Sequence, residues 1–141
     1  MNAKEIANLA HKGQFRRDGV TPYINHAEEV AETFETGSLE MHVAWAHDLL
    51  EEEGSGHDKQ SLLDAGFEPV VVEAVVLLTH AKHQPYAEYI ENIVYYSKTS
   101  EAHSLALKVK IADMAANLAD APTEHQIKKY TNALKIIAKN L

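Results

Sequence analysis

The spacing of apolar residues predicts helices almost throughout the chain. Apolar positions recur three and four residues apart, which is the repeat of one helix face, and the alternation typical of strands is scarce. A polar segment over 13–22 is typical of a loop. The predicted helices cover 2–12, 25 to a stop at Gly37, a cap at Ser38 to a stop at Gly54, 58–65, 68–79, 85–97, 101–118, and a last helix opened by a capping box of Thr123 and Gln126.

Length and composition place these helices in one domain over residues 1–141. A chain of 141 residues with 45% apolar positions is large enough to bury a core, and no repeat or linker divides it. The valines of 68–79 are also typical of a strand, so this segment could form either a helix or a strand. We therefore expect an all-α fold, a single compact helical bundle.

The acidic charge balance and the short apolar runs exclude two classes of partner. The net charge is −8 without a basic run, whereas a duplex nucleic-acid binder needs clustered Lys and Arg. The longest apolar run, 70–78, is interrupted by Glu73 and is too short to span a bilayer. The first residues lack the apolar core of a signal peptide. We expect a cytoplasmic protein with neither a nucleic-acid nor a membrane partner.

The absence of cysteine limits the available metal chemistry. A metal site must then use nitrogen and oxygen ligands, which favour manganese, iron, magnesium or an oxygen-rich zinc site. A small anionic substrate would bind this acidic protein only where a metal or a local basic patch reverses the field. Arg16 and Arg17, in the predicted loop, are the candidates for such a patch.

Two ligand-type residues interrupt the apolar face of the third predicted helix. His47 and Asp48 follow a run of apolar residues, and burying both without partners would be costly, whereas a metal ion would satisfy both. Glu51 and Glu52 come four residues after His47 and Asp48, so on a helix they share that face. This is where an acid or base would serve a water molecule on the metal.

Further polar residues extend this pattern to other helices. Asp113 and Asn117 lie four apart among small residues, and His26 begins a predicted helix beside the loop. Taken singly, each has an ordinary explanation, such as a histidine bonded to a carbonyl or a buried carboxylate in a salt bridge. One metal site held by His26, His47, Asp48 and Asp113 explains four separate features together.

The order of these residues resembles the H…HD…D signature of the HD superfamily of metal-dependent phosphohydrolases. Four segments from about residue 7 to 120 are similar to RelA/SpoT-type alarmone hydrolases: 10–17 (AHKGQFRR), 19–26 (GVTPYINH), 47–52 (HDLLEE), and 109–113 (VKIAD) followed by Asn117 and Leu118. Residues 66–67, 78–79 and 86–90 are also similar to small stand-alone HD proteins. From the length of the sequence we expect neither a synthetase nor a regulatory domain.

The resemblance implies a compact all-α fold with one divalent ion. The ion is typically Mn²⁺, with Fe²⁺, Mg²⁺ or Zn²⁺ possible, held by His26, His47, Asp48 and Asp113. Glu51 and Glu52 match the family's catalytic pair, although the family usually has Asp at the second position. Asn117 matches a residue that contacts the substrate, and Arg16 and Arg17 match a basic pair near the nucleotide base and phosphates.

The reaction that the resemblance implies is removal of the 3′-pyrophosphate of ppGpp or pppGpp, giving GDP or GTP and pyrophosphate. Three alternatives stay open: an HD phosphohydrolase acting on another nucleotide or phosphate ester, a catalytically silent HD nucleotide-binding or metal-binding protein, and a structural helical module. The structural module predicts no bound metal and no loss of thermal stability with a chelator.

We predict that Glu51→Ala separates metal binding from turnover. A general base acts on water without holding the ion, so the variant should keep its manganese and lose roughly 100-fold or more of its turnover. Asp48→Ala should lose both the metal and the activity. Metal analysis of the purified variants, set beside pyrophosphate release, checks this. An equal loss of metal in Glu51→Ala would make Glu51 a ligand or its support instead.

Overall fold

Eight helices form in the part of the chain that the structure describes, residues 2–50 and 56–141 of a computed structural model. They confirm the predicted all-α bundle. The helices are α1 Ala3–Ala10, α2 Ile24–Glu32, α3 Leu39–Ala46, α4 Lys59–Asp64, α5 Pro69–Leu78, α6 Tyr86–Tyr95, α7 Glu101–Leu118 and α8 Glu124–Lys139. Within those described ranges, no helix has the length and apolar character needed to cross a membrane.

Helix α7 is the centre of the bundle. It packs against α2, α3, α5, α6 and α8, and its most extensive partner is α5. The valine-rich α5 is a helix because Pro69 fixes a helical φ at its first position and Val71, Val72 and Val75 are fully buried. A helix this apolar is stable where neighbouring helices cover most of its surface. The strand alternative for this segment is therefore wrong.

Helix starts follow the predicted caps. Ser38 Oγ accepts a hydrogen bond from the Met41 amide at 3.2 Å. Thr123 Oγ1 accepts from the Gln126 amide at 3.1 Å, and Gln126 Oε1 accepts from the Thr123 amide at 3.0 Å. Such caps satisfy amides that have no partner within the helix. The capping residues lie at the helix start itself, so a short stretch of sequence is enough to predict where the helix begins.

Two helix ends differ from the prediction by more than two residues. α2 ends at Glu32 rather than near Gly37, and α3 ends at Ala46 rather than near Gly54. His47 causes the second difference, because its Nδ1 donates to the Ala44 carbonyl at 2.6 Å. That carbonyl is the one an α-helix would offer to the amide of residue 48. His47 to Leu50 consequently form turns, so the His-Asp pair follows a helix instead of lying in its middle.

The polar segment 13–22 forms a loop that is closed by an isolated β-bridge. Phe15 pairs with Pro22 in an isolated bridge, and the Arg16 amide donates to the Thr21 carbonyl at 2.8 Å. Gly19 takes a positive φ of 72° at the tip, a conformation that favours glycine. The loop returns the chain to the start of α2 and holds Arg16 and Arg17 against the end of α7.

Candidate metal centre

Three buried side chains from separate parts of the bundle meet at one point. One ligand atom each from His26, His47 and Asp113 lies within 4.8 Å of the others. The three residues are only 2%, 4% and 7% exposed. His26 lies in the first turn of α2, His47 directly follows α3, and Asp113 lies on α7, so packing among these helices brings them together.

His47 is oriented as a ligand. Its Nδ1 must carry a hydrogen to donate to the Ala44 carbonyl, which leaves Nε2 as the atom that faces the carboxylates. Nε2 is 3.1 Å from Asp48 Oδ2 and 3.4 Å from Asp113 Oδ1, yet it is buried without a partner in hydrogen-bonding geometry. A nitrogen close to two carboxylates but not directed at either fits a divalent cation between them.

The Asp113 carboxylate has polar contacts with three other side chains. Its Oδ1 lies 2.7 Å from His26 Nε2 and accepts from Asn117 Nδ2 at 3.2 Å, while its Oδ2 accepts from Lys110 Nζ at 3.2 Å. Burial alone would raise the pKa of the Asp113 carboxyl, but Lys110 and the two histidines hold it well below its usual range. The carboxylate therefore stays ionised, as a metal ligand must.

Asp48, the fourth predicted ligand, lies beside the buried three. It is less enclosed, with 22% of its side chain exposed, and its Oδ2 accepts a hydrogen bond from the Tyr23 hydroxyl. Burial would raise the pKa of Asp48, but His47 and the Tyr23 hydroxyl outweigh it and lower the pKa to about 2. Burial and the charge of Asp48 raise the pKa of Tyr23, so its hydroxyl keeps the proton that it donates.

Glu51 and Glu52, the predicted catalytic pair, lie outside the described residues. The spacing argument that joined them to His47 and Asp48 needed one continuous helix through this region. Because α3 ends at Ala46 and turns follow to Leu50, that argument is wrong. The roles of the two glutamates stay a prediction that rests on the resemblance.

The predicted substrate-binding residues fall in one network at the end of α7. Arg16 Nη2 donates to Asp120 Oδ2 at 2.6 Å and to Asn117 Oδ1 at 3.3 Å, and Arg17 donates to the Asp120 carbonyl. Asn117 Nδ2 in turn donates a hydrogen bond to Asp113 Oδ1. The structure thus brings Arg16 and Asn117 together beside the candidate ligand Asp113, and the charge of Arg16 is paired with Asp120.

A cavity of about 270 Å³ opens on the cluster. Its walls combine four tyrosines and two lysines with most of the cluster, an unusual concentration of positive charge and aromatic surface in an acidic protein. The lining residues are Tyr23, His26, Asp48, His80, Tyr86, Tyr89, Lys110, Asp113, Asn117, Lys129 and Tyr130.

Sequence reasoning missed the cations and aromatic rings of this cavity. Lys110 had a readable signal, since it precedes Asp113 by three residues and so shares its helix face. Tyr86, Tyr89 and Tyr130 come from α6 and α8 and occupy ordinary amphipathic positions, so only the packing of those helices places them in the cavity. Tyr23, immediately before α2, lies in the segment 19–26 but had no predicted role. Arg16 and Arg17, the predicted basic patch, are absent from the described lining of this cavity.

Comparison with known proteins leaves the chain without an assigned family. No family model matches it, and a search of curated proteins finds no significant relative.

We predict that metal binding releases a proton at neutral pH. Burial lowers the pKa of His47, but Asp48 and Asp113 outweigh it and hold this pKa well above its usual value, so the metal-free imidazole is protonated. A divalent ion must displace that proton, so manganese affinity should rise about tenfold per pH unit below the pKa of His47.

Calorimetry in two buffers of different ionisation enthalpy measures the number of protons released. About one proton per Mn²⁺ is expected at pH 7 for the wild type. The same number is expected for His125→Ala, which replaces an exposed histidine outside the cluster. Binding without proton release would contradict the coordination of His47.

Proposed function

We propose that this protein is a metal-dependent phosphohydrolase that acts on a nucleotide, with the 3′-pyrophosphate of ppGpp as the first candidate. The observation that carries the proposal is the convergence of three buried ligand atoms within 4.8 Å on a cavity of about 270 Å³ lined by lysines and tyrosines. The resemblance to HD-type alarmone hydrolases supports the substrate. A cytoplasmic location, without a nucleic-acid or membrane partner, belongs to the same proposal.

The metal would be held by His26, His47, Asp48 and Asp113. A set of two imidazoles and two carboxylates suits Mn²⁺ and also admits Fe²⁺, Mg²⁺ or Zn²⁺. Such an ion, when bound, would neutralise charge developing on phosphorus and lower the pKa of a nearby water molecule. Asp113 is kept ionised for this purpose by the donors around it.

The cavity walls suit the substrate's phosphates and base. Lys129 Nζ lies 4.3 Å from the Tyr86 ring centroid and 5.6 Å from that of Tyr130. The Tyr86 hydroxyl is buried without a described hydrogen-bond partner, so a phosphate oxygen would give it one. We choose Lys129 for recognising a phosphate directly, because its Nζ lies in the cavity wall beside the Tyr86 and Tyr130 rings. Lys110 Nζ contacts Asp113 and supports that carboxylate.

Supporting roles follow for the remaining predicted residues. Asn117 orients Asp113, and Arg16 fixes Asn117 while it is paired with Asp120. Arg17 holds the loop against the end of α7. Glu51 is proposed to orient or deprotonate the attacking water, and Glu52 to deliver a proton to the leaving oxygen.

The first experiment measures pyrophosphate and GDP release from ppGpp by metal-stripped protein, with and without Mn²⁺. Release that requires Mn²⁺ is expected for the wild type and is expected to disappear in Asp48→Ala. Manganese bound at one equivalent without turnover would retain the metal centre and redirect the search to a panel of other phosphorylated nucleotides. A wild type that binds none of Mn²⁺, Fe²⁺, Mg²⁺ and Zn²⁺ would refute the proposal.

We predict that Lys129→Met lowers kcat/KM by roughly 10- to 100-fold, because a charge-assisted contact with phosphate is lost from the cavity wall. Lys128→Met is the matched control, since Lys128 is the exposed neighbour outside the described lining. Steady-state kinetics on the substrate identified above check both variants. Equal kinetics for the two variants would remove Lys129 from the binding site.

A further inference from the structure

Asp48 is the least firmly placed of the proposed ligands. The other three are buried within 4.8 Å of one another, and each lies on a helix or next to its end. Asp48 lies in the turns after α3, with 22% of its side chain exposed. Helical backbone does not fix this carboxylate, so its direction depends on what its oxygens contact.

The Tyr23 hydroxyl is the hydrogen-bond donor to Asp48. It donates to Oδ2, the same oxygen that lies 3.1 Å from His47 Nε2. Tyr23 also immediately precedes α2, on which His26 lies three residues further on, so one short stretch of chain contacts two proposed ligands. A donor to a ligating carboxylate fixes which oxygen faces the ion.

Tyr23 is itself held rigidly. Its ring centroid lies 4.9 Å from that of His11 and 5.6 Å from that of His26, and its amide donates to the Gln14 carbonyl at 2.9 Å. His11 is a buried residue whose Nδ1 lies 2.8 Å from Gln14 Oε1. Contacts with His11, Gln14 and His26 therefore position the Tyr23 ring in addition to the hydrogen bond with Asp48.

We propose that Tyr23 is a positioning residue of the metal centre, which holds the Asp48 carboxylate in the direction that the ion requires. The inference rests on the proposed metal site. The proposal gives the loop 13–22 a role in metal binding, because contacts with Gln14 in this loop and with His11 just before it position Tyr23. A tyrosine that only filled space would need its ring and not its oxygen.

The test compares Tyr23→Phe with wild type in Mn²⁺ binding to the metal-stripped protein by calorimetry. Removing only the hydroxyl should weaken Mn²⁺ binding by roughly 10- to 100-fold, the usual effect of losing such a donor. Tyr95→Phe, the same change at an exposed ring, should bind Mn²⁺ as the wild type does. Thermal unfolding of the metal-free proteins shows whether each variant is folded.

A double-mutant cycle separates positioning from packing. Asp48→Ala should lose its metal during purification, so this background is titrated at high Mn²⁺ concentration to reach the weak site formed by the remaining three ligands. There Tyr23→Phe should no longer change Mn²⁺ affinity, because the carboxylate through which it acts is gone. An equal loss in both backgrounds, or unchanged affinity of Tyr23→Phe alone, would overturn the inference while leaving the metal site. A wild type that binds none of Mn²⁺, Fe²⁺, Mg²⁺ and Zn²⁺ would overturn both the inference and the proposed metal site.

A measurement on the unaltered tyrosine covers the case in which Tyr23→Phe does not fold. In protein labelled with ¹³C at the tyrosine ring carbon that bears oxygen, the Tyr23 resonance should shift when Zn²⁺, a diamagnetic probe, is added. It should also shift in Asp48→Ala. A Tyr23 resonance insensitive to both changes would show that the hydroxyl does not act on Asp48.

Discussion

The buried carboxylate of Asp113 is the constraint on which the rest of the structure depends. An ion taken out of water costs several kcal/mol unless donors replace its hydration. Here the donors are His26 on α2 and Lys110 and Asn117 on α7, while His47, which follows α3, lies 3.4 Å away. Because these groups must meet one carboxylate, the burial of Asp113 links the packing of α2, α3 and α7 to a single arrangement.

The same constraint arranges charge in the cavity. Lys110 is bound to Asp113 Oδ2 and also lies 5.3 Å from the Tyr89 ring centroid, so its position is fixed on both sides. A protein of net charge −8 thereby keeps positive charge in the wall next to its carboxylates. An anionic substrate would otherwise be repelled by the ligand set itself.

Local signals were sufficient for most of the fold and for part of the site. The caps at Ser38 and Thr123 and the bounds of α7 are properties of short stretches of sequence, so they could be predicted. The end of α3 could not, because a histidine side chain there replaces a backbone donor at the Ala44 carbonyl. Cavity residues that are far apart in sequence, such as Tyr86 and Tyr130, come together only through the packing of α6 and α8.

The ending of α3 at Ala46 also explains why Asp48 needs Tyr23. A continued helix would have fixed the direction of residue 48 through its backbone, but the side-chain bond that orients His47 takes the carbonyl needed for the next turn. The hydrogen bond that orients His47 therefore leaves Asp48, the next residue, outside the helix. The hydroxyl at the start of α2 supplies the missing restraint, and it does so from the helix that also carries His26.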